Sequence, residues 1–210
     1  MITHLGGFLA VSALVIVTPG PDTALTIRNS LAGGRRAGMC TGAGVSAGQA
    51  IWALAATAGV AALLAASHLA LLMIKIAGAA YLTCLGLRSL RAATLPRRVR
   101  ARPEGKRPGR VRPRAAFGQG VLSNLGNPKM AVFFISLLPQ FASQDGSTPV
   151  AMLALGLVFS AMTFAWLAGY AAIAARTGQL FHRPRARQVL DGLSGATLIG
   201  LGIWLAAEAG

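Results

Sequence analysis

Six long apolar stretches dominate the hydrophobic pattern of this 210-residue chain. A helix needs about 20 mostly apolar residues to cross the hydrocarbon core of a membrane. The predicted spans are Leu5–Ile27, Gly38–Leu64, Leu69–Leu87, Ala115–Phe141, Val150–Ala175 and Val189–Ala207. Because six such stretches in one small chain leave no polar face for water, the pattern predicts an all-α membrane protein with six transmembrane helices.

The placement of charge predicts how the chain lies in the membrane. Only 12% of the residues are charged, against about 25% in a typical soluble domain. Of the 20 basic residues, 18 fall in three alternate connections between the predicted spans, whereas the other connections and both termini carry none. Basic loops remain on the cytoplasmic side of a membrane. We therefore predict cytoplasmic basic loops and both termini outside.

The longest basic connection, residues 92–114, is rich in Arg and Pro. Like-charge repulsion and proline disfavour a compact fold there, so we predict a solvated cytoplasmic linker beside anionic lipid. The net charge of +15 would suggest nucleic acid in a soluble protein, but no aromatic residues interleave with these arginines to stack on bases. The predicted partners are therefore the lipid bilayer and a small solute, with no nucleic acid.

The two flanks of this linker, residues 1–91 and 115–210, show a weak internal repeat. Thr18–Ala24 of the first span aligns with Leu125–Ala131 of the fourth. Gly78–Leu87 of the third span aligns with Gly195–Ile203 of the sixth, with one residue deleted. Because each unit holds three helices, an odd number, the two units must enter the membrane from opposite sides. The sequence thus predicts two inverted three-helix repeats, an architecture of many secondary transporters.

Helix-breaking residues recur at equivalent positions of the first and fourth spans. Proline lacks the backbone N–H of a helix and clashes with the preceding turn, so both spans are predicted to be broken. In a membrane, the backbone groups that are freed must find partners in protein, water or a bound solute. Interrupted helices at matching positions of two repeats point to a transport site. The predicted break and gating residues are Pro19, Gly20, Pro21, Gly126 and Pro128.

An ionisable residue follows each break directly, Asp22 in the first half and Lys129 in the second. Charge inside a membrane helix is unfavourable and marks a functional site. We predict that the two side chains meet between the halves, where they pair or hold the ammonium and carboxylate of a zwitterion. Asp22 is also the candidate carrier of a coupling proton. Two structural alternatives stay open: Asp22 caps the helix that it begins, and Lys129 bonds freed carbonyls.

Several other residues are weaker candidates. Ser46, Gln49, Asn124 and Asn127 are predicted to line the substrate cavity, although such residues also bond across helices. Lys75 and Asp191 are predicted to be interfacial anchors or structural partners.

Small residues in the second and third spans have simpler interpretations. Gly38, Gly42, Gly44 and Gly48 permit close helix packing in the second span, or the contact of a homodimer. Cys40 and Cys84 lack metal or redox spacing and are predicted to be small buried hydrophobes.

Motifs along nearly the whole chain resemble those of the LysE/RhtB family of amino-acid exporters. They are Thr18–Asp22 followed by Gly38, Gly42 and Gly44; Lys75–Leu82 with Leu85 and Gly86; and Phe117–Gly120 with Asn124–Lys129 and Leu138–Phe141. The linker and the last two spans match in character only, and the linker is unusually rich in arginine.

The resemblance implies export of amino acids or close derivatives across a bacterial inner membrane, driven by the proton motive force and without a cofactor. Family substrates include basic amino acids, threonine, homoserine and its lactone, and branched-chain amino acids, and the sequence does not choose among them. A metal-ion or other small-solute exporter is the nearest alternative, and a membrane thiol-redox protein is an alternative of another class. An enzyme is not expected, because no intramembrane histidine or carboxylate cluster is present.

Overall fold

The computed structural model describes residues 2–66, 68–94, 111–142, 148–177 and 184–207, and these ranges are helical nearly throughout. The elements are α1 (Ile2–Val17), α2 (Pro21–Ala66), α3 (His68–Thr94), α4 (Pro113–Leu125), α5 (Pro128–Val132), a π-helical turn (Phe133–Leu137), α6 (Leu138–Phe141), α7 (Thr148–Thr177) and α8 (Pro184–Ala207). The prediction of an all-helical chain is confirmed for these residues.

Helix α2 is a hairpin of two arms, residues 21–33 and residues 35–66, because Gly34 interrupts it. Gly34 has φ 74° and ψ −179°, in a region that glycine enters readily. The Asn29 amide Nδ2 lies 3.0 Å from the Thr41 hydroxyl, twelve residues further along. In one straight helix those residues would lie about 18 Å apart. The chain therefore folds back at Gly34, and the first arm lies against the second.

Both predicted proline breaks are confirmed. The chain bends by 53° between Leu5–Val17 and the helix that begins at Pro21, and by 56° between Pro113–Leu125 and Pro128–Phe141. Asn127 caps α5, and its side-chain oxygen accepts from the Lys129 backbone N–H at 3.1 Å. Each break thus starts a new helix, as the proline-containing motifs predict.

Length and hydropathy mark fewer complete spans than the sequence predicts. Within the described ranges, Pro149–Ala175 alone is long and apolar enough to cross a membrane unaided, and the number rises to three if each bent pair is one span. Ile76–Arg88 in α3 and Gly195–Ala207 in α8 are shorter apolar helices. Several large apolar side chains are more than half exposed, including Leu122 at 73% and Val150 at 74%, as suits a surface that faces lipid.

Small residues allow the helices to pack closely in pairs. Helix α2 packs against α4 and α7, and α3 packs against α8. Gly38 and Gly42 lie against α7, whereas Gly44 and Gly48 lie against α4. A Cβ atom at Gly44 would clash with the Phe117 backbone carbonyl. The predicted packing role is confirmed, and these glycines are occupied within the chain rather than kept free for a homodimer.

The helical ends of the basic connection differ from the prediction. Helix α3 continues to Thr94 and α4 begins with Pro113 at its first turn, so both ends of the predicted linker 92–114 are helical. Proline suits a first helical turn because its missing N–H would have no partner there. Residues 95–110 of the linker lie outside the described ranges.

Candidate functional site

Asp22, directly after the first break, is buried, and its carboxylate bonds side chains at the second break. Its Oδ1 accepts a hydrogen bond from the Ser123 hydroxyl at 2.6 Å. Its Oδ2 accepts from the side-chain amides of Asn124 at 2.9 Å and Asn127 at 3.0 Å. All three donors come from the end of α4 and the break that follows. The carboxylate is therefore directed across the molecule, whereas the capping alternative would direct it to its own helix.

Lys129 makes the converse connection. Its buried ammonium donates to the backbone carbonyls of Val15 and Thr18, each at 3.0 Å. In a continuous helix the Val15 carbonyl would accept from the N–H four residues later, but that residue is Pro19, which has none. The ammonium thus supplies the hydrogen bond that the proline removes. This contact matches the alternative in which Lys129 bonds freed carbonyls.

Asn127 joins these two sets of contacts. Its Nδ2 donates to Asp22, and its Oδ1 accepts from the backbone N–H of Lys129. It is also 3% exposed, so both bonds are shielded from solvent. One buried side chain therefore fixes the start of α5 and links it to the start of α2.

A narrow cleft lies where the breaks meet. Its polar lining includes Asp22, Asn127, Lys129, Gln49 and Thr163. The cleft encloses about 20 Å³ of free space, and one water needs about 10–15 Å³. The cleft has room for water in this conformation and must widen to admit an amino acid.

The remaining predicted residues occupy varied positions. Gly20 lines the cleft, and a Cβ atom there would lie 3.6 Å from the Lys129 nitrogen. Asn124 is fully buried and reaches the site through its bond to Asp22. Ser46 is not part of the cleft lining, and its hydroxyl donates to the Ser160 carbonyl of α7 at 3.0 Å.

The side chains of Lys75 and Asp191 lie outside what the structure describes. The predicted roles of these two residues as anchors or structural partners stay predictions.

A second polar cluster, Arg28–Asn29–Thr41–Gln119, was not predicted. The Gln119 side-chain oxygen accepts from Arg28 Nη2 at 3.1 Å and from Asn29 Nδ2 at 3.0 Å. Asn29 is fully buried, seven residues after Asp22 and thus on the same face of the first arm of α2. That spacing was the available signal. The cluster joins both arms of α2 to α4, away from the break.

The cysteines give the thiol-redox alternative no support. Both are free, with Cys40 half-buried and Cys84 exposed. The prediction that both are buried is therefore only partly met by Cys40, and it is wrong for Cys84. Within the described ranges, no three His, Cys, Asp or Glu side chains converge as a metal site would require.

Two broken helices that meet at a cleft lined by charged residues are typical of membrane transport proteins. The chain belongs to the LysE type translocator family, whose pattern it matches over residues 13–209.

Named relatives cover most of the chain. It is 30% identical over 201 residues to a homoserine/homoserine lactone efflux protein of Salmonella typhimurium, covering 95% of this chain and 94% of the relative. It is 30% identical over 162 residues to a leucine efflux protein of Klebsiella pneumoniae, covering 76% and 74%. An uncharacterized membrane protein of Bacillus subtilis is 27% identical over 200 residues, covering 93% and 95%. No solved structure matches the chain significantly.

Proposed function

We propose that this protein is a secondary-active exporter of amino acids or their close derivatives that works by proton-coupled alternating access. One observation carries the proposal: each charged residue after a break is bound to the residues before the other break. Asp22 binds Ser123 and Asn124, and Lys129 binds Val15 and Thr18. A site built from two crossing breaks opens to either side when one half tilts against the other.

The proposed scaffold is a pair of inverted three-helix repeats, residues 1–91 and 115–210. The repeat offset of 107 places Val15 and Thr18 opposite residues 122 and 125, the same stretch that provides the donors to Asp22. The reciprocal contacts are those that an approximate two-fold axis would produce. This correspondence adds structural support to the repeat that the sequence alignment predicts.

Contacts between α3 and α8 support the same axis. A Cβ atom at Gly86 would lie 2.7 Å from the Gly195 carbonyl, and one at Gly202 would lie 2.9 Å from the Ala79 carbonyl. In the repeat alignment Gly86 corresponds to Gly202, and Gly195 to Gly78, the neighbour of Ala79. Each contact therefore joins nearly equivalent positions of the two repeats, with the repeats exchanged.

We further propose six membrane spans in a bacterial inner membrane, with both termini outside and the basic connections in the cytoplasm. The alternation of basic and uncharged connections supports this orientation. Energy comes from the proton motive force, with no cofactor. The glycines of α2 pack within the chain and give a homodimer no support.

Asp22 is the proposed proton carrier. In its charged form the carboxylate accepts three hydrogen bonds that tie the first arm of α2 to α4. Protonation removes the charge of the carboxylate and one of its acceptor positions. The hydrogen bonds between the first arm of α2 and α4 then weaken, and the two halves can separate. A proton that enters from outside and leaves into the cytoplasm thereby drives one cycle, in which an amino acid leaves the cell.

The chemistry of the cleft and the names of the relatives support an amino-acid substrate. Asp22 and Lys129 give the cleft one charge of each sign, so its lining is neutral overall, as an amino-acid zwitterion is. The substrates named for the relatives are homoserine, its lactone and leucine, all α-amino acids or their direct derivatives.

Counterflow into proteoliposomes tests the proposal. Vesicles holding the purified protein are loaded in turn with amino acids, homoserine or homoserine lactone, and uptake of the labelled compound is followed with and without a pH gradient. Saturable exchange that a pH gradient accelerates is the expected result. No exchange of any of these compounds by folded, reconstituted protein would overturn it.

A further inference from the structure

Two buried polar atoms in the cleft lack a hydrogen-bond partner among the described residues. They are Oε1 of Gln49, on the second arm of α2, and Oγ1 of Thr163, on α7. Gln49 is 1% exposed and Thr163 is 6% exposed. An unsatisfied polar atom is unfavourable in any protein interior and most of all within a membrane, where bulk water is absent. Both atoms are therefore available to a solute that enters the cleft.

The rest of the cleft wall is mostly apolar. Its apolar members are Val15, Ile16, Met130, Phe159, Trp166 and Leu167. Of the described residues that line the cleft, Asp22 and Lys129 alone are charged, so the lining has no net formal charge. Asp22 already accepts three hydrogen bonds from the protein. A ligand with a charged side chain would find no second counter-charge here, and a buried charge without a partner is strongly unfavourable.

We propose that the cleft selects α-amino acids with an uncharged, mainly aliphatic side chain, and that Gln49 and Thr163 accept hydrogen bonds from the ligand ammonium. This inference rests on the proposed function and specifies its substrate class. The Lys129 ammonium donates to the ligand carboxylate instead of to the Val15 and Thr18 carbonyls. The side chain of the ligand lies against the apolar wall. Neutral oxygen acceptors suit an ammonium whose charge is balanced within the zwitterion itself.

The native protein provides the first test, which needs no variant. Counterflow is compared for leucine, methionine and norvaline against lysine, arginine and glutamate at equal concentration. We expect the first three to exchange at least about tenfold faster than the charged three. A tenfold ratio corresponds to about 1.4 kcal/mol, and burial of an unpaired charge costs at least that much. Exchange of a charged amino acid at an equal or higher rate would overturn this inference and leave the proposed function intact. Exchange of none would overturn both.

Substitution of Thr163 tests the ammonium contact. Thr163→Val keeps the shape and removes the hydroxyl, so we expect the half-saturating leucine concentration to rise at least about tenfold. Thr163→Ser restores the hydroxyl and should bring that concentration back to near the native value. Thr57→Val is the matched control, because the Thr57 hydroxyl donates to the Ala53 carbonyl of its own helix outside the cleft.

Gln49→Leu tests the second acceptor in the same assay, with the same expected rise. Unchanged half-saturation in both Thr163→Val and Gln49→Leu would overturn the ammonium assignment. A rise in Thr163→Val that Thr163→Ser does not reverse would also overturn it, because loss of the hydroxyl would then not be the cause. If the Thr163→Val chain does not fold, Gln49→Leu decides, and unchanged half-saturation in Gln49→Leu then overturns the ammonium assignment.

Discussion

The ammonium of Lys129 lies 3.0 Å from the carbonyl oxygen of Val15, 114 residues earlier in the chain. The residue that would normally donate to this carbonyl is Pro19, which has no N–H. The second half of the molecule thus completes a helix end in the first half. Conversely, the Asp22 carboxylate of the first half accepts hydrogen bonds from three side chains of the second half.

Lys129→Met is expected to lower the free energy of unfolding by about 2–3 kcal/mol, because two buried carbonyls lose a charged donor. For a chain of this size that corresponds to a fall in Tm of about 4–12 °C in detergent, measured by thermal unfolding of the purified protein. Arg114→Met serves as the control, since Arg114 is an exposed basic residue at the start of α4. A native Tm for Lys129→Met would contradict the structural role of this ammonium.

Asp22→Asn is expected to abolish acceleration of efflux by a pH gradient while the chain stays folded and inserted. The amide oxygen can still accept from Asn124 and Asn127, and the new NH₂ can donate to the Ser123 hydroxyl, so most of the tie remains. What is lost is the proton-accepting group. Counterflow without a gradient, which needs no net proton movement, should fall less than gradient-driven efflux. Undiminished gradient-driven efflux would exclude Asp22 as the proton carrier.

Gly120→Ala is expected to destabilise the protein by about 1–3 kcal/mol through overpacking. A Cβ atom there would clash with the Thr41 carbonyl across the contact between α4 and α2. Gly118→Ala is the matched control on the same helix, because no atom lies within 4 Å of a Cβ atom at Gly118. Thermal unfolding of the two variants side by side gives the comparison. Equal Tm values in the two variants would mean that the contact between α4 and α2 accommodates the added methyl group without loss of stability.

In the proposed orientation Arg28 begins a cytoplasmic connection, so Gln119→Leu is expected to favour the conformation open to the cytoplasm by about fivefold to tenfold. It removes the acceptor shared by Arg28 and Asn29, and one net hydrogen bond contributes about 1–1.5 kcal/mol. The measurement is thiol labelling from the cytoplasmic side at Thr23→Cys, in a chain whose native cysteines are replaced.

Gln140→Leu is the control for this labelling experiment, since the Gln140 amide donates to the Ser136 carbonyl within its own helical segment. Equal labelling in both variants would mean that the Arg28–Asn29–Thr41–Gln119 cluster does not hold the cytoplasmic end closed.

The features that the sequence predicts well are those with strong local causes. Proline has one backbone effect wherever it occurs, so both helix breaks were predictable from Pro19, Pro21 and Pro128. The placement of Asp22 and Lys129 on one cleft between the breaks followed from the repeat offset, which needs no knowledge of side-chain geometry. Helix existence likewise followed from long apolar runs, whereas the helical hairpin at Gly34 and the helical ends of the basic linker were not predicted.

Features that depend on helix rotation were not predictable. Gln49 faces the cleft while Ser46, one turn earlier on the same helix, donates to α7. Thr163 lies in the middle of the apolar helix α7, with no break or charge near it to mark it. Which partner each polar group takes is decided by how α2, α4 and α7 are turned about their axes, and one sequence does not encode that rotation in a readable pattern.

The reciprocal contacts at the two breaks also have a consequence for biogenesis. Synthesis runs from the N-terminus, so the first half enters the bilayer with the Asp22 carboxylate and the Val15 and Thr18 carbonyls still lacking the partners that they have in the finished molecule. Those partners arrive with residues 123–129, more than halfway through translation. Until the second half has been made, these polar groups of the first three helices must therefore be hydrogen-bonded by water or by insertion factors.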